Sequence, residues 1–373
     1  MISTRNQSIL LLSYFVFFGA VVSSPSRSSP PRDATPVIEL YGLAETAFQN
    51  NPDIQAERHK WRQAIERYPQ ETSLDDPVLS FSYFIENVET RVGPQEFSIG
   101  ISQKFPFPGT LKQKGRVVDK EIQIARLEYE RTVRDVIAHL KQSVYELIYL
   151  DGAIKLTRQN QSLLIEILWF AQARYADQNA GLNDVFRAES QLAQLDYDLI
   201  TLRELRAVQR SVINGILNES PDNAIGRVSA KVPQNVTFPL EALDRHALAN
   251  RQEVRLAELG VQKSDEQIEL AHRLNRPGFT LGVRAIETDE ARMPTIPDSG
   301  KDPVMITGGI SIPLWLPKNR ARVRYAEQMK KEAEQAELSV ENNTQTALRK
   351  TYFRLENAKR LMTLYREHLL PQA

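Results

Sequence analysis

One order of elements, a helix, two short strands and then a very long helix, is written into this sequence twice, which leaves the chain few ways to bury itself. Leu40 through Ala47, Asn51, Pro52 and Ile54 to Ala56 has a counterpart in Leu243 through Ala249, Arg251, Gln252 and Val254 to Ala257, both helical in pattern. Phe105-Pro106 stands beside Ile312-Pro313, and Arg116-Val117 beside Arg322-Val323, with one residue of slippage. The first repeat is expected over 40–220, a linker over 221–239 and the second repeat over 240–373.

The strands alternate with a period of two. Phe97, Ile99 and Ile101 are large and apolar, whereas Ser98, Gly100 and Ser102 between them are small or polar. Leu79, Phe81, Tyr83 and Ile85 alternate with Ser80 and Ser82 in the partner strand. In the second repeat Ile306, Gly308, Ile310 and Ile312 alternate with Thr307, Gly309 and Ser311, and a partner runs from Phe279 to Ile286. A barrel wall between lipid and a wet lumen needs this alternation, but so does an ordinary antiparallel sheet with one face on a core. Glu86 and Glu89 are expected at the hairpin between the first two strands, facing solvent.

No proline occurs from Thr110 to Ala176, so a single helix of about 65 residues, roughly 100 Å long, is expected there. Val133, Leu140, Leu147 and Ile154 recur every seven residues, with Ile137, Val144 and Leu150 near the other seam position, which makes a coiled-coil stripe. A turn at Asn179, Ala180 and Gly181 precedes a second helix with Val185, Ala188, Leu192, Leu195, Leu199 and Leu202 on its seam. Two antiparallel helices joined by a short turn form a hairpin. The fold class is therefore mainly α with β: long coiled-coil hairpins plus four strands per chain, built from two repeats.

Arg5, the apolar run Ile9 to Val22 and the small residues Ser23 and Ser24 have the layout of a secretory signal over 1–24. A leader rich in Ser, Pro and Arg follows over 25–39. The apolar run is short of the roughly 20 residues that a spanning helix needs, and no other segment reaches that length without charges. An exported chain of this kind either remains soluble or enters a membrane as strands.

Chemistry finds little support. The chain has no cysteine, which excludes disulfides and thiolate sites. Its five histidines, His59, His139, His246, His272 and His368, lack metal-ligand spacing, and its five methionines form no ladder for soft metals. Nucleotide-binding and hydrolase motifs are absent, so no catalytic residue, cofactor or metal ligand is assigned. Lys plus Arg and Asp plus Glu number 47 each, so no net field draws the chain toward nucleic acid.

Three segments together resemble the TolC-like outer membrane efflux proteins, the outer membrane factors. They are the corner SQKFPFPG (Ser102 to Gly109), the tip ARYADQNAGLNDVFRAESQLAQL (Ala173 to Leu195) and VINGILN (Val212 to Asn218); NNPDIQA (Asn50 to Ala56) opens the first repeat. The corner and NNPDIQA look closest to the branch serving metal-cation and related efflux pumps. The resemblance implies a homotrimer in the bacterial outer membrane that extends into the periplasm. Four strands per subunit would close one barrel, and the chain would act as a passive conduit alongside a periplasmic adaptor and an inner-membrane pump, with no enzymatic activity. Under it, Ser98, Gly100, Ser102, Thr307, Gly309 and Ser311 would face the lumen, and Phe97, Ile99, Ile101, Ile306 and Ile310 the lipid.

The adaptor-contacting tip would comprise Arg174, Tyr175, Asp177, Asn179, Gly181, Asn183 and Asp184, with Asp177 or Asp184 as candidate gating charges. The plainer reading gives Gly181 the left-handed turn position and makes Asn183 or Asp184 a helix cap. A soluble periplasmic coiled-coil scaffold is the competing function. Against the family pattern the second repeat reads as C-terminally incomplete, because Ala373 corresponds to about Trp169. A fragment of a longer frame and a truncated product both fit. In the second case Leu348, Leu355 and Leu361 are expected to be poorly covered; Pro371 is expected to bend its helix, and this chain not to form a sealed, gated tunnel.

Overall fold

A computed structural model describes residues 38–178, 181–226, 228–229, 238–293 and 295–372. The expected signal segment, the leader up to residue 37, the turn residues Asn179 and Ala180 and much of the linker lie outside the described residues.

Both repeats open with a broken helix. In the first, α1 (Leu40–Asn50) leads into α2 (Pro52–Thr72); in the second, α5 (Leu240–Asn250) leads into α6 (Gln252–Arg273). The breaks fall at Asn51 and Arg251, both extended, at φ −63° and −67°. Ile54 and Val254, three residues beyond them, are both buried. At the first break Pro52 cannot donate to a continuing helix, and the Asn51 side chain takes over, accepting from the Asp53 and Ile54 backbone N–H groups.

The strands form one antiparallel sheet in the order β2-β3-β5-β6, with β2 Val78–Thr90, β3 Gly93–Phe105, β5 Gly278–Thr288 and β6 Val304–Ser311. A separate parallel pair joins β1 (Ile38–Glu39) to β4 (Val228–Ser229), tying the residues before the first repeat to those before the second. The hairpin between β2 and β3 lies at residues 91–92, farther out than the sequence places it. Glu86 and Glu89 are therefore strand residues, and Glu89 pairs with Arg292 at 3.5 Å. A register irregularity between Tyr83 and Val88 breaks the alternation that would have shown the strand continuing. Gly93, at φ +135°, closes the turn; a Cβ there would sit 1.7 Å from the Asp289 carbonyl oxygen.

From the sheet, α3 (Thr110–Ala176) runs 67 residues without a break, and α4 (Leu182–Leu217) returns beside it. The heptad reading holds over its near part: Leu140, Val144, Leu147, Leu150 and Ile154 are all buried. With Leu43, Ala47, Ile213, Ile216 and Leu217, the first three of these make an apolar core. Every buried residue of α3 lies at or before Ile154; farther on, Leu163, Ile165, Ile167, Trp169 and Phe170 are exposed and α3 leans on α4.

In the second repeat α7 (Leu316–Leu364) packs on α6 and α5 and leaves Leu355 and Leu361 exposed and Leu348 half-buried. Its hydrogen bonding widens to a π-turn at Tyr365–Leu369 and tightens to 3-10 at Leu370–Gln372. Pro371, which has no N–H to donate, lies in that last stretch.

Candidate functional site

Cross-strand register sorts the sheet into rows, and the rows sort by chemistry. Leu79, Ile101, Val283 and Ile306 stand side by side across the four strands. The neighbouring rows on that face are Phe81, Ile99, Ala285 and Val304 on one side, and Gln103, Leu281 and Gly308 on the other. Phe105, Phe279 and Ile310 end the face nearest the helices; Tyr83, Phe97 and Glu287 end it at the far side. From Phe97 to Phe105 the strand covers roughly 27 Å, on the scale of a bilayer's apolar band once tilt is allowed for.

These apolar side chains stand in the open: Ile306 is 83% exposed, Phe81 65% and Ile101 52%. Phe97 is half-buried, its ring centroid 5.9 Å from that of Phe81. The opposite face holds the intervening rows: Val78, Ser102, Gly282 and Thr307; Ser80, Gly100, Arg284 and Met305; Ser82, Ser98 and Ile286; and Lys104, Thr280 and Gly309. Ser311 pairs with Gly278 beyond them and accepts from its backbone N–H at 3.0 Å. Ser98, Gly100, Gly282 and Ile286 are buried there, as the concave face of a curled sheet would be.

All six residues expected to line the small face therefore share one face, and all five expected on the apolar face share the other. Sequence reasoning missed that the small face also carries Ile286, Met305, Lys104 and Arg284. Arg284 and Lys104 break the small-residue alternation, which was the available signal.

At the far end of the helical hairpin, Arg174 and Tyr175 occupy the last turn of α3, and the Arg174 guanidinium lies 5.9 Å from the Phe170 ring centroid. Among the described residues of this turn the left-handed one is Gln178, at φ 58°, and not Gly181. Gly181 is extended (φ −83°, ψ 149°) and serves as N-cap of α4. Neither Asn183 nor Asp184 caps the helix. Both sit inside its first turn, where the Asp184 carboxylate complements the helix dipole, and the Asp184 N–H donates to the Gly181 carbonyl at 3.1 Å. Asn179 lies outside the described residues.

Between sheet and tip, the helices are fastened by polar clamps. Gln113, buried near the start of α3, donates to the Glu266 carbonyl (3.0 Å) and carboxylate (2.6 Å). Farther along, Arg134 donates to both Glu253 carboxylate oxygens and to the Gln252 side chain. Among the described residues no group of three or more His, Cys, Asp or Glu side chains is placed to hold a metal ion. No described helix is long and apolar enough to cross a membrane.

The outer membrane efflux protein family matches residues 43–218 and 243–371. Among solved structures the chain is similar to the outer membrane protein VceC from Vibrio cholerae, at 16% identity and a TM-score of 0.64 over 88% of this chain and 79% of that one. It is also similar to the outer-membrane channel OprN, at 19% identity and 0.70 over 88% and 76%. The Campylobacter jejuni CmeC outer membrane channel aligns at 15% identity and 0.67 over 88% and 74%. No curated protein sequence matches the chain.

Proposed function

Because the chain belongs to the outer membrane efflux protein family, whose members are passive trimeric channels rather than enzymes, we propose that it is the exit duct of a three-part export system. It is an efflux channel subunit of the outer membrane that extends into the periplasm. In our reading the partners are a periplasmic adaptor and an inner-membrane pump. The apolar face, with Phe97, Ile99, Ile101, Ile306 and Ile310, meets lipid; the small face, with Ser98, Gly100, Ser102, Thr307, Gly309 and Ser311, meets water.

The observation that carries this is the four-stranded sheet with an exposed apolar face and two outer edges, β2 and β6, that pair with no described residue. Unpaired backbone is not tolerated in hydrocarbon, so such edges must be closed by sister subunits. A soluble scaffold would have no use for so much uncovered apolar surface.

The tip follows from the same geometry. The helical hairpin carries Arg174, Tyr175, Asp177, Gly181, Asn183 and Asp184 to its far end from the sheet, where a periplasmic adaptor would meet them. Fractionation tests the reading. The protein is expected in the outer membrane, released only by detergent, as a trimer that conducts ions in a planar bilayer. Recovery as a monomer in osmotic-shock fluid would defeat it.

A further inference from the structure

The small face of the sheet is not electrically neutral. In its four rows, from Ser82, Ser98 and Ile286 to Lys104, Thr280 and Gly309, the charged residues are Arg284 and Lys104, and both are cations. No carboxylate shares these rows. The one acidic residue of β3 is Glu96, at the register irregularity beyond them. In β2, Glu86 and Glu89 lie past Tyr83; in β5, Glu287 stands on the apolar face; β6 has no acid. Neither Arg284 nor Lys104 has an ion-pair partner among the described residues.

Arg284 is also seated rather than simply present. It pairs with Gly100, and a Cβ built on Gly100 would lie 3.4 Å from the Arg284 Cβ and 3.4 Å from its Nε. The same Cβ would lie 3.0 Å from the Ser80 Oγ, which itself donates to the Gly100 carbonyl. The bare backbone at Gly100 thus gives the guanidinium stem room to lie along the sheet toward Ser80, its charge held at the wall without closing the bore.

We infer that Arg284, seconded by Lys104, makes the strand section selective for anionic solutes over free cations. Repeated by three-fold symmetry, fixed cations on a narrow wet wall attract anions and repel cations, as rings of Arg or Lys do in anion pores. An ion at contact distance from one such charge is favoured by up to about fivefold even at the dielectric constant of water. The inference rests on the small face being the lumen wall, so its test must separate the two.

The cysteine-free chain permits this through Ser102→Cys, one row from Arg284, on intact cells exposed to membrane-impermeant thiol reagents of opposite charge. Labelling at that position, with Ile101→Cys unlabelled, is expected of a wet wall; no labelling of Ser102→Cys would overturn the lumen reading and the inference with it. The negatively charged reagent is expected to react faster, relative to the positively charged one and to each reagent's rate with a small free thiol, by up to about 25-fold, about fivefold from attraction of the one and about fivefold from repulsion of the other. Adding Arg284→Gln should bring that ratio toward one, and Arg284→Lys should preserve it. A labelled Ser102→Cys whose ratio is indifferent to Arg284→Gln would sink the inference and leave the lumen reading standing.

Discussion

Arg134, about a third of the way along α3, grips Glu253 at the start of α6 with two nitrogens, at 2.5 and 3.0 Å. Arg251 adds a third charge-assisted bond to the same carboxylate at 2.9 Å. The clamp ties the two repeats together, and hydrogen bonding from Arg134 holds the Glu253 carboxyl down at about 2, against an ordinary 4.5. A carboxyl depressed in the folded state stabilises it above the unfolded value, and that contribution drains away as pH falls from about 4.5 toward 2. Both side chains are partly exposed, so screening leaves about 1 kcal/mol. Glu253→Gln should lower the thermal unfolding temperature at pH 7, and the gap to the parent protein should narrow by pH 3 and close near pH 2. A gap that persists undiminished in acid would mean that the carboxylate's charge contributes nothing.

Asn51 finishes two helices with one side chain. Its Oδ1 accepts from the first turn of α2, while its Nδ2 donates to the Ile216 carbonyl, one of the last acceptors of α4, at 2.9 Å. Asn51→Ala should cost about 2 kcal/mol, an N-cap plus a buried acceptor left unmet. Asn51→Asp keeps the acceptor and loses the donor, so it should fall between the two in thermal unfolding.

The two faces of β3 should respond oppositely to charge. Ile101→Lys places an ammonium on the apolar face and should cost about 2–4 kcal/mol of membrane insertion, if that row sits near the bilayer midplane. Ser102→Lys, one residue along, should leave the outer membrane yield near that of the parent. Equal yields for both variants would argue that the sheet does not divide lipid from water.

Gly93 has no room for a side chain. Gly93→Ala would strain φ +135° and press a methyl into the Asp289 carbonyl, so the turn and the segment following β5 must shift together. An expected cost of about 1–3 kcal/mol should show as faster protease cleavage between residues 289 and 303.

The long elements were legible because their signals are periodic. Leu140, Leu147 and Ile154 declare a helix seam, and Phe97, Ile99 and Ile101 declare a strand face, from spacing alone. Local geometry was not legible in that way. Gly181 looked like the left-handed turn residue, yet Gln178 takes that conformation, because a short polar turn has several near-equivalent ways to reverse the chain. Glu86 and Glu89 looked like turn residues because the register irregularity after Tyr83 hides the period of two. Arg134 and Glu253 are 119 residues apart, and nothing local to either one names the other. Arg284 meets Gly100 only once β3 and β5 are paired.

In the proposed trimer, the edges of β2 and β6, which pair with no other described strand, also decide the kinetics of maturation. Intramolecular folding can complete the helices and the inner strand pairs, but the last backbone hydrogen bonds belong to collisions between chains. Closure is then of higher reaction order than the folding that precedes it, and its equilibrium constant carries units of concentration. Dilution alone should strand chains with their sheets half satisfied, so the cell's supply rate of new subunits, as much as their amino-acid sequence, governs how many reach the finished ring.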